Sequence, residues 1–496
     1  MRKHFRFSWL AVFALTALTA CNSGSDAAKP AATAENAKVP VTTKSEDARK
    51  EFLQGQALAD KLQVQDSIAH FDKAIALDQD FASAELARAN AAATPHEFFD
   101  HIKKAVTLAD KVSDGEKWLI LANEAGANAG TVKQKEYLDK LVAAYPNDER
   151  VQFNFGAYEF GQQDFAAAVE HLKKAVAVAP DYSPTYNMLG YSYRQLDDYP
   201  NAEEAFKKYT VLLPNDPNPY DSYGELLLKM GRFDDSIVQY RKAIAIDSNF
   251  VASHFGIAAD LMYQGKSSEA SAELQKIIDK ARSDGDRRLA LFGLSVVAAD
   301  AGKLDQATQE MDREYAVAEK INDQGAMSAD LQAKGNILVQ MQKYDAARQA
   351  FEKSVKLLQN GSFSKEIQDN AQLVLHFNLG VIAAGKGDYK TAKSEAAEFS
   401  KGAEASKNPV QVRQSHELAG IIALAEKNYD TAIAELQQAN QQNPQDMFRL
   451  AQAYAGKGDK EKSQELFAQA AGFNSLPQLN YAFVRVKAQK MSGKKA

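Results

Sequence analysis

Small and aromatic residues recur along this 496-residue chain at intervals of about 34 residues. This periodicity constrains the fold more than any other feature of the sequence. It is clearest where Tyr186, Gly190, Tyr193, Ala202 and Phe206 follow one another in order. A fixed period of this length indicates an architecture in which each repeat buries its apolar face by stacking on its neighbours.

Each repeat contains two stretches in which apolar residues have helical spacing. Tyr186, Leu189, Gly190 and Tyr193 occupy positions i, i+3, i+4 and i+7, which places them on one helix face. We therefore predict an all-α solenoid of about twelve helix–turn–helix repeats, with small residues such as Gly190 where paired helices cross closely. The predicted repeats begin at residues 48, 79, 115, 149, 183, 217, 251, 288, 328, 373, 413 and 444.

The motif that runs from Tyr186 to Pro214 resembles the tetratricopeptide repeat. Its order is aromatic-x2-Leu-Gly-x2-Tyr, then Ala-x3-Phe, then Pro. The resemblance implies a superhelical solenoid whose first helices line a concave groove, and ligands that are peptides or helices of partner proteins. It also assigns a set of groove residues to the repeats that begin at 149, 183 and 217. These are Phe153, Phe160, Asn187, Tyr191, Arg194, Asp221 and Glu225.

The groove of residues 149–250 is the predicted main partner site, because these repeats are the most regular. Its aromatic side chains would anchor a bound segment, and its charged side chains would fix the direction of that segment. By resemblance, Asn187 matches the position of an asparagine that binds C-terminal carboxylates in some family members. The lysines that accompany it in those proteins are missing here.

Repeat spacing predicts how the array is divided. The spacing lengthens after the polar segment around residue 284. We therefore expect an N-terminal sub-array over residues 48–284 and a sub-array of longer repeats over 285–477. Residues 478–496 are predicted to form a capping helix and a tail, because arrays require a cover for their exposed apolar end.

The N-terminus predicts export and a lipid anchor. Three basic residues precede an apolar run from Phe7 to Leu18, which is typical of a signal peptide over residues 1–20. The run ends in Leu18-Thr19-Ala20-Cys21, which resembles the bacterial lipoprotein box, with cleavage between Ala20 and Cys21. Cys21 is the only cysteine of the chain, and the resemblance implies that it is lipidated.

The residues that follow Cys21 predict a flexible tether and a location. Residues 21–47 contain almost no large apolar side chains, which is typical of a lipidated cysteine followed by a disordered segment. By resemblance to enterobacterial sorting, Asn22 favours the outer membrane, facing the periplasm. We therefore expect a protein of the cell envelope that is attached to the membrane through its lipid.

Composition and motifs argue against several other functions. The net charge of −6 disfavours a nucleic-acid binder. His96 and His101 are five residues apart, whereas a zinc-protease helix needs a spacing of four. The segment Gly380–Gly387 lacks the Ser or Thr of a phosphate-binding loop. We therefore expect no enzyme activity, no cofactor and no metal.

Three functions stay open at this point. The first is a scaffold or adaptor that binds proteins or peptides through its groove. The second is a carrier or chaperone for exported polypeptides, and the third is an enzyme whose site carries no recognisable motif. The sequence leaves the partner's identity and any homo-oligomer open.

Overall fold

The structure is a computed structural model that describes residues 38–493, apart from residues 62, 93, 94, 129 and 362. The side chains of Pro95 and His96 are also not described. The predicted signal peptide, its cleavage site at Ala20 and the lipidation site Cys21 therefore lie outside the described residues. Within them, no helix is long and apolar enough to cross a membrane.

The described residues form consecutive α-helical hairpins, which confirms the predicted all-α solenoid. The first six hairpins are α1 (Glu46–Ala59) with α2 (Val64–Leu77), α3 (Ala82–Asn90) with α4 (Pro95–Leu108), α5 (Asp114–Ala127) with α6 (Thr131–Ala144), α7 (Glu149–Gly161) with α8 (Phe165–Val178), α9 (Ser183–Gln195) with α10 (Tyr199–Leu212), and α11 (Pro217–Lys229) with α12 (Phe233–Ile246). A short 3-10 turn, Ala109–Lys111, lies between α4 and α5.

Six further hairpins follow, and their helices lengthen at Asp284. They are α13 (Val251–Tyr263) with α14 (Ser267–Asp279), α15 (Asp284–Asp300) with α16 (Leu304–Lys320), α17 (Gln324–Gln340) with α18 (Tyr344–Asn360), α19 (Lys365–Lys386) with α20 (Tyr389–Ser406), α21 (Pro409–Ala425) with α22 (Tyr429–Leu436), and α23 (Pro444–Lys457) with α24 (Lys460–Ala471). Two short helices, α25 (Leu479–Ala482) and α26 (Arg485–Met491), complete the described chain.

Most first helices begin within four residues of the predicted repeat starts. The largest difference is at α19, which begins at Lys365 rather than at 373, and α15, α17 and α21 each begin four residues before the predicted start. The sequence motif marks the point where two helices cross. Because these helices are longer, they extend further on the N-terminal side of that crossing.

A glycine of the first helix faces a large side chain of the second helix in several hairpins. A Cβ atom added to Gly190 would lie 2.5 Å from the ring of Phe206, and one added to Gly55 would lie 2.7 Å from that of Phe71. Real Cβ atoms essentially never approach a neighbour so closely. The prediction that Gly190 marks a close helix crossing is therefore confirmed.

Packing divides the chain into two compact units that meet between Leu226 and Leu227. We call them the N-terminal unit and the C-terminal unit. This division differs from the predicted sub-array boundary at residue 284, where the helices lengthen. The point where the helices lengthen is therefore different from the point where packing divides the chain.

The end of the predicted tether is ordered along the N-terminal unit. The Val39 amide donates to Asp148 (2.8 Å), the Thr42 amide to Glu116 (2.7 Å) and the Lys44 amide to Asp78 (3.0 Å). We call residues 38–45 the N-terminal strap. The expectation of a flexible segment through residue 47 is thus wrong for 38–45, because the side chains of Asp78, Glu116 and Asp148 bind its backbone, and α1 already begins at Glu46.

Candidate functional site

Phe153 and Phe160, two of the three aromatic residues predicted for the groove, lie on α7 and are half-buried. Phe153 packs edge-on against Tyr182, with ring centroids 5.8 Å apart. Phe160 packs in the same way against Phe165, the first residue of α8, at 5.2 Å. Both predicted anchors also pack against the apolar core that the hairpins of α7 and α9 share. Their packing holds the rings in place and leaves part of each exposed.

The polar residues of the predicted site form a bonded network between α9 and α11. The Tyr191 hydroxyl donates to Glu225 (3.0 Å), and Arg194 forms an ion pair with the same carboxylate. The Arg194 guanidinium lies 4.9 Å from the centre of the Tyr191 ring. Burial, followed by the charge of Glu225, raises the pKa of Tyr191 well above its ordinary value, so its hydroxyl stays protonated and donates.

The remaining two predicted residues differ in what they can offer to a ligand. Asp221 is only 8% exposed, so its carboxylate does not form a charged rim of the groove. Asn187 lies on α9, one helix turn before Tyr191. Its side-chain oxygen is buried and meets no hydrogen-bond donor within the described part of the chain. Among the predicted residues, Asn187 is the one whose acceptor the repeats leave unused.

Polar bonds between successive first helices recur in the C-terminal unit. Each joins a side chain of one first helix to a side chain of the next, as Arg194 and Glu225 do in the N-terminal unit. The pairs are Arg288 with Asp330 (2.6 Å), Gln332 with Asn378 (2.8 Å), Asn370 with Gln411 (2.8 Å), and Glu417 with Arg449 (2.7 Å). The Arg194–Glu225 pair is therefore one member of a series that holds neighbouring repeats together.

In two of these pairs, the arginine also contacts a second buried carboxylate, which is Glu314 for Arg288 and Asp446 for Arg449. Arg288 contacts Glu314 as well as Asp330, and burial followed by the charge of Asp330 raises the pKa of Glu314 to about 8. Burial and the charge of Asp446 likewise raise the pKa of Glu417 to about 8. One arginine cannot neutralise two buried carboxylates, so each cluster holds a proton near neutral pH.

Histidines form a second regular feature that sequence reasoning missed. Each histidine whose side chain is described contacts a carboxylate or an amide on the other helix of its hairpin. Examples are His254 with Glu273 (2.5 Å), His376 with Glu395 (2.7 Å) and His416 with Glu435 (2.7 Å). The constant separation of 19 residues in these pairs was the available signal. These histidines join helices and do not gather at one site.

Comparison with protein families identifies the repeats. A tetratricopeptide repeat-like domain model matches residues 250–373. One tetratricopeptide repeat model matches residues 153–217, and a second one matches residues 218–250 and 447–475. The matched segments together cover most of the repeats that follow residue 153. The chain is therefore a tetratricopeptide-repeat solenoid.

Curated relatives share only part of their length with this chain. Superkiller complex protein 3 of Mus musculus is 26% identical over 147 residues, which are 28% of this chain and 9% of that protein. The anaphase-promoting complex subunit CDC16 of Saccharomyces cerevisiae is 31% identical over 121 residues, which are 22% of this chain and 14% of that protein. The chain thus spans a small fraction of each relative.

Solved structures that are similar to parts of this chain include the following three. The Cut9–Hcn1 hetero-tetramer of the anaphase-promoting complex is 14% identical, with a TM-score of 0.39, over 85% of this chain and 76% of that one. A tetratricopeptide repeat protein from Parabacteroides merdae is 14% identical, with a TM-score of 0.38, over 53% of this chain and 98% of that one. PilW, a type IV pilus biogenesis factor, is 19% identical, with a TM-score of 0.33, over 45% of this chain and 97% of that one.

Proposed function

We propose that this protein is a lipid-anchored scaffold or adaptor of the bacterial cell envelope, which binds a protein segment through the groove of α7, α9 and α11. Tetratricopeptide-repeat proteins bind other proteins or peptides, and this general role is the basis of the proposal. The finer assignment to the envelope rests on the lipoprotein-like motif that ends at Cys21. The outer membrane, facing the periplasm, is the location that this motif and Asn22 favour.

The unused amide oxygen of Asn187 is the observation that carries the binding site. A buried acceptor without a donor is costly, and Asn187 as a whole is only half-buried, so rotation of its side chain brings the oxygen to the backbone N–H of a bound peptide. Phe153 and Phe160 lie on α7, the first helix of the preceding repeat, and offer partly exposed rings for an apolar anchor. Tyr191, Arg194 and Glu225 position the floor of the site, because their polar groups already bind one another.

The proposal predicts which substitutions weaken the partner. Phe160→Ala combined with Tyr191→Ala should lower partner affinity at least about 30-fold, because central aromatic anchors commonly contribute about 2 kcal/mol or more. Asn187→Ala alone should lower affinity while leaving the aromatic residues in place. Isothermal titration calorimetry against a partner captured by crosslinking in intact cells measures both effects.

Val211→Ala is the matched control. It removes an exposed apolar side chain of α10, outside the first helices that line the groove. Affinity should be nearly unchanged in this variant, and all variants should melt cooperatively. If the groove variants bind as tightly as the parent, and deletion of residues 373–477 abolishes binding, the site lies in the C-terminal repeats and the proposal fails.

A further inference from the structure

The C-terminal segment of the chain lies across the ends of three first helices of the C-terminal unit. We call residues 473–485 the C-terminal strap. The helices α11, α13 and α15 end at Lys229, Tyr263 and Asp300. These three residues occupy the same position in successive repeats, and each of them contacts the strap. The contact is therefore made by one side chain from each repeat.

Two of the three contacts bind the backbone of the strap. The Lys229 ammonium donates to the Phe473 carbonyl (2.8 Å) and lies 4.0 Å from the centre of the Phe473 ring. The Tyr263 hydroxyl donates to the Ser475 carbonyl. Side chains that bind main-chain carbonyls at a repeat interval are typical of peptide recognition, because they hold an extended segment through its backbone.

The third contact is a buried ion pair. Two nitrogens of the Arg485 guanidinium, Nε and Nη2, donate to the two oxygens of the Asp300 carboxylate, and Nε lies 2.6 Å from Oδ1. The guanidinium also lies 5.4 Å from the centre of the Tyr263 ring. The Arg485 side chain is 8% exposed and that of Asp300 is 3% exposed. Bidentate geometry and burial make this the most specific of the three contacts.

Apolar side chains fill the space between these polar contacts. Tyr481 packs against Tyr263, with ring centroids 5.4 Å apart. Phe483 and Val484 are 4% and 5% exposed. The pattern is thus an aromatic residue and an arginine four positions later, separated by small and apolar residues.

We propose that the ends of α11, α13 and α15 form a peptide-binding edge, for which the C-terminal strap is the resident ligand and for which a partner segment with the same aromatic and arginine pattern competes. The edge uses Lys229 at the end of α11, whereas the groove of α7, α9 and α11 uses Glu225 of the same helix. A covalently attached ligand has an effective concentration in the millimolar range. A partner segment therefore displaces the strap only when it is itself held close to the edge or binds the edge more tightly than the strap does. A free copy of the strap at micromolar concentration does neither, so it does not bind the unaltered chain.

Weakening the strap exposes the edge to a peptide added in solution. The probe is a fluorescent peptide of residues 471–491, and the receptor is the full chain carrying Arg485→Ala. We expect no binding to the parent chain and saturable binding to the variant by fluorescence anisotropy. The same peptide with its own Arg485→Ala change should bind the variant at least about 30-fold more weakly, because it leaves Asp300 buried and unpaired.

Two further variants make the test specific. Asp300→Asn should release the strap and also remove the preference for arginine, so the two peptides should then differ little. Arg313→Ala removes an exposed arginine of the same unit, which pairs with Glu310. It should leave the edge closed and the peptide unbound.

Hydrogen exchange separates release of the strap from unfolding. Release should increase exchange in residues 473–488 while α11–α22 stay protected. The proposal is overturned if the Arg485→Ala variant releases the strap without binding the peptide. It is also overturned if the strap stays protected in both Arg485→Ala and Asp300→Asn, or if the whole C-terminal unit loses protection, because the segment is then a fixed part of the core.

Discussion

At the scale of single residues, the close helix crossings depend on glycines, which have no side chain to collide with the facing aromatic ring. Gly190 leaves room for the ring of Phe206, and the repeat sequence encodes this pair sixteen residues apart. The sequence predicted this feature because both residues belong to one repeat and therefore to one local pattern. The buried clusters around Arg288 and Arg449 escaped prediction, because each cluster joins residues of two repeats and the two clusters lack a common spacing.

Gly190→Leu should destabilise the N-terminal unit by about 1–3 kcal/mol, because the added side chain overlaps Phe206 in a packed core. Chemical denaturation followed by circular dichroism measures this change. The same substitution at Gly161 is the matched control, since no atom lies within 4 Å of a Cβ added there. Equal destabilisation by the two substitutions would show that the crossing at Gly190 is not tightly packed.

The C-terminal unit should lose stability as pH rises from about 6 to about 8. The pKa of Glu314 is about 8 in the folded chain, against an ordinary value of 4.5. Folding therefore takes up a proton between these values. The resulting stability is fully present below about pH 4.5 and is lost as pH rises through about 8.

Glu314→Gln should reduce this loss by up to about 1.4 kcal/mol per pH unit, because the amide stays neutral at every pH. Part of the loss should persist, since Glu417 titrates in the same direction. Urea unfolding at the two pH values measures both slopes. A parent protein that is more stable at about pH 8 than at about pH 6 would contradict the assignment of a protonated Glu314.

At the scale of elements, the sequence predicted hairpins well and contacts between distant segments poorly. Hairpins follow from local periodicity. The N-terminal strap binds Asp148 from 109 residues away, and Arg485 reaches Asp300 across 185 residues. No pattern within one repeat encodes such contacts. In the predicted site, the partly exposed aromatic residues lie at positions that the family resemblance assigned to the groove. The pairing of Arg194 with Glu225 was not predicted, because it depends on how α9 and α11 stack.

Arg194 and Glu225 should couple energetically across α9 and α11. Both side chains are 16% exposed, so water screens their ion pair only partly. A double-mutant cycle with Arg194→Gln and Glu225→Gln should give a coupling of about 1–3 kcal/mol in unfolding experiments. The exposed pair Lys135–Asp139, with side chains 51% exposed, should couple by only about 0.3–0.5 kcal/mol. Similar couplings in both cycles would contradict a stabilising link between the repeats.

At the scale of the whole molecule, the proposed attachment to a membrane depends on one thiol, that of Cys21. Cys21→Ala should prevent lipidation and shift the protein from the membrane fraction to the soluble fraction. Fractionation should include a wash at high salt, because salt screens electrostatic attachment. A variant that stays on the membrane after this wash would show that the anchor is not a lipid on Cys21. Circular dichroism of the soluble variant should be strongly helical, as in the parent.

The N-terminal strap also determines where mechanical tension enters the folded body. The strap runs from Lys38, beside Asn147 and Glu149 of the fourth repeat, back to the start of α1. A pull on the chain upstream of Lys38 therefore loads the contacts with Glu149 and Asp148 first. Tension reaches α1 only after the bonds to Glu116 and Asp78 have also broken. The first helix of the solenoid is thus shielded from tension on the predicted tether, which would otherwise unfold this helix from its N-terminal end.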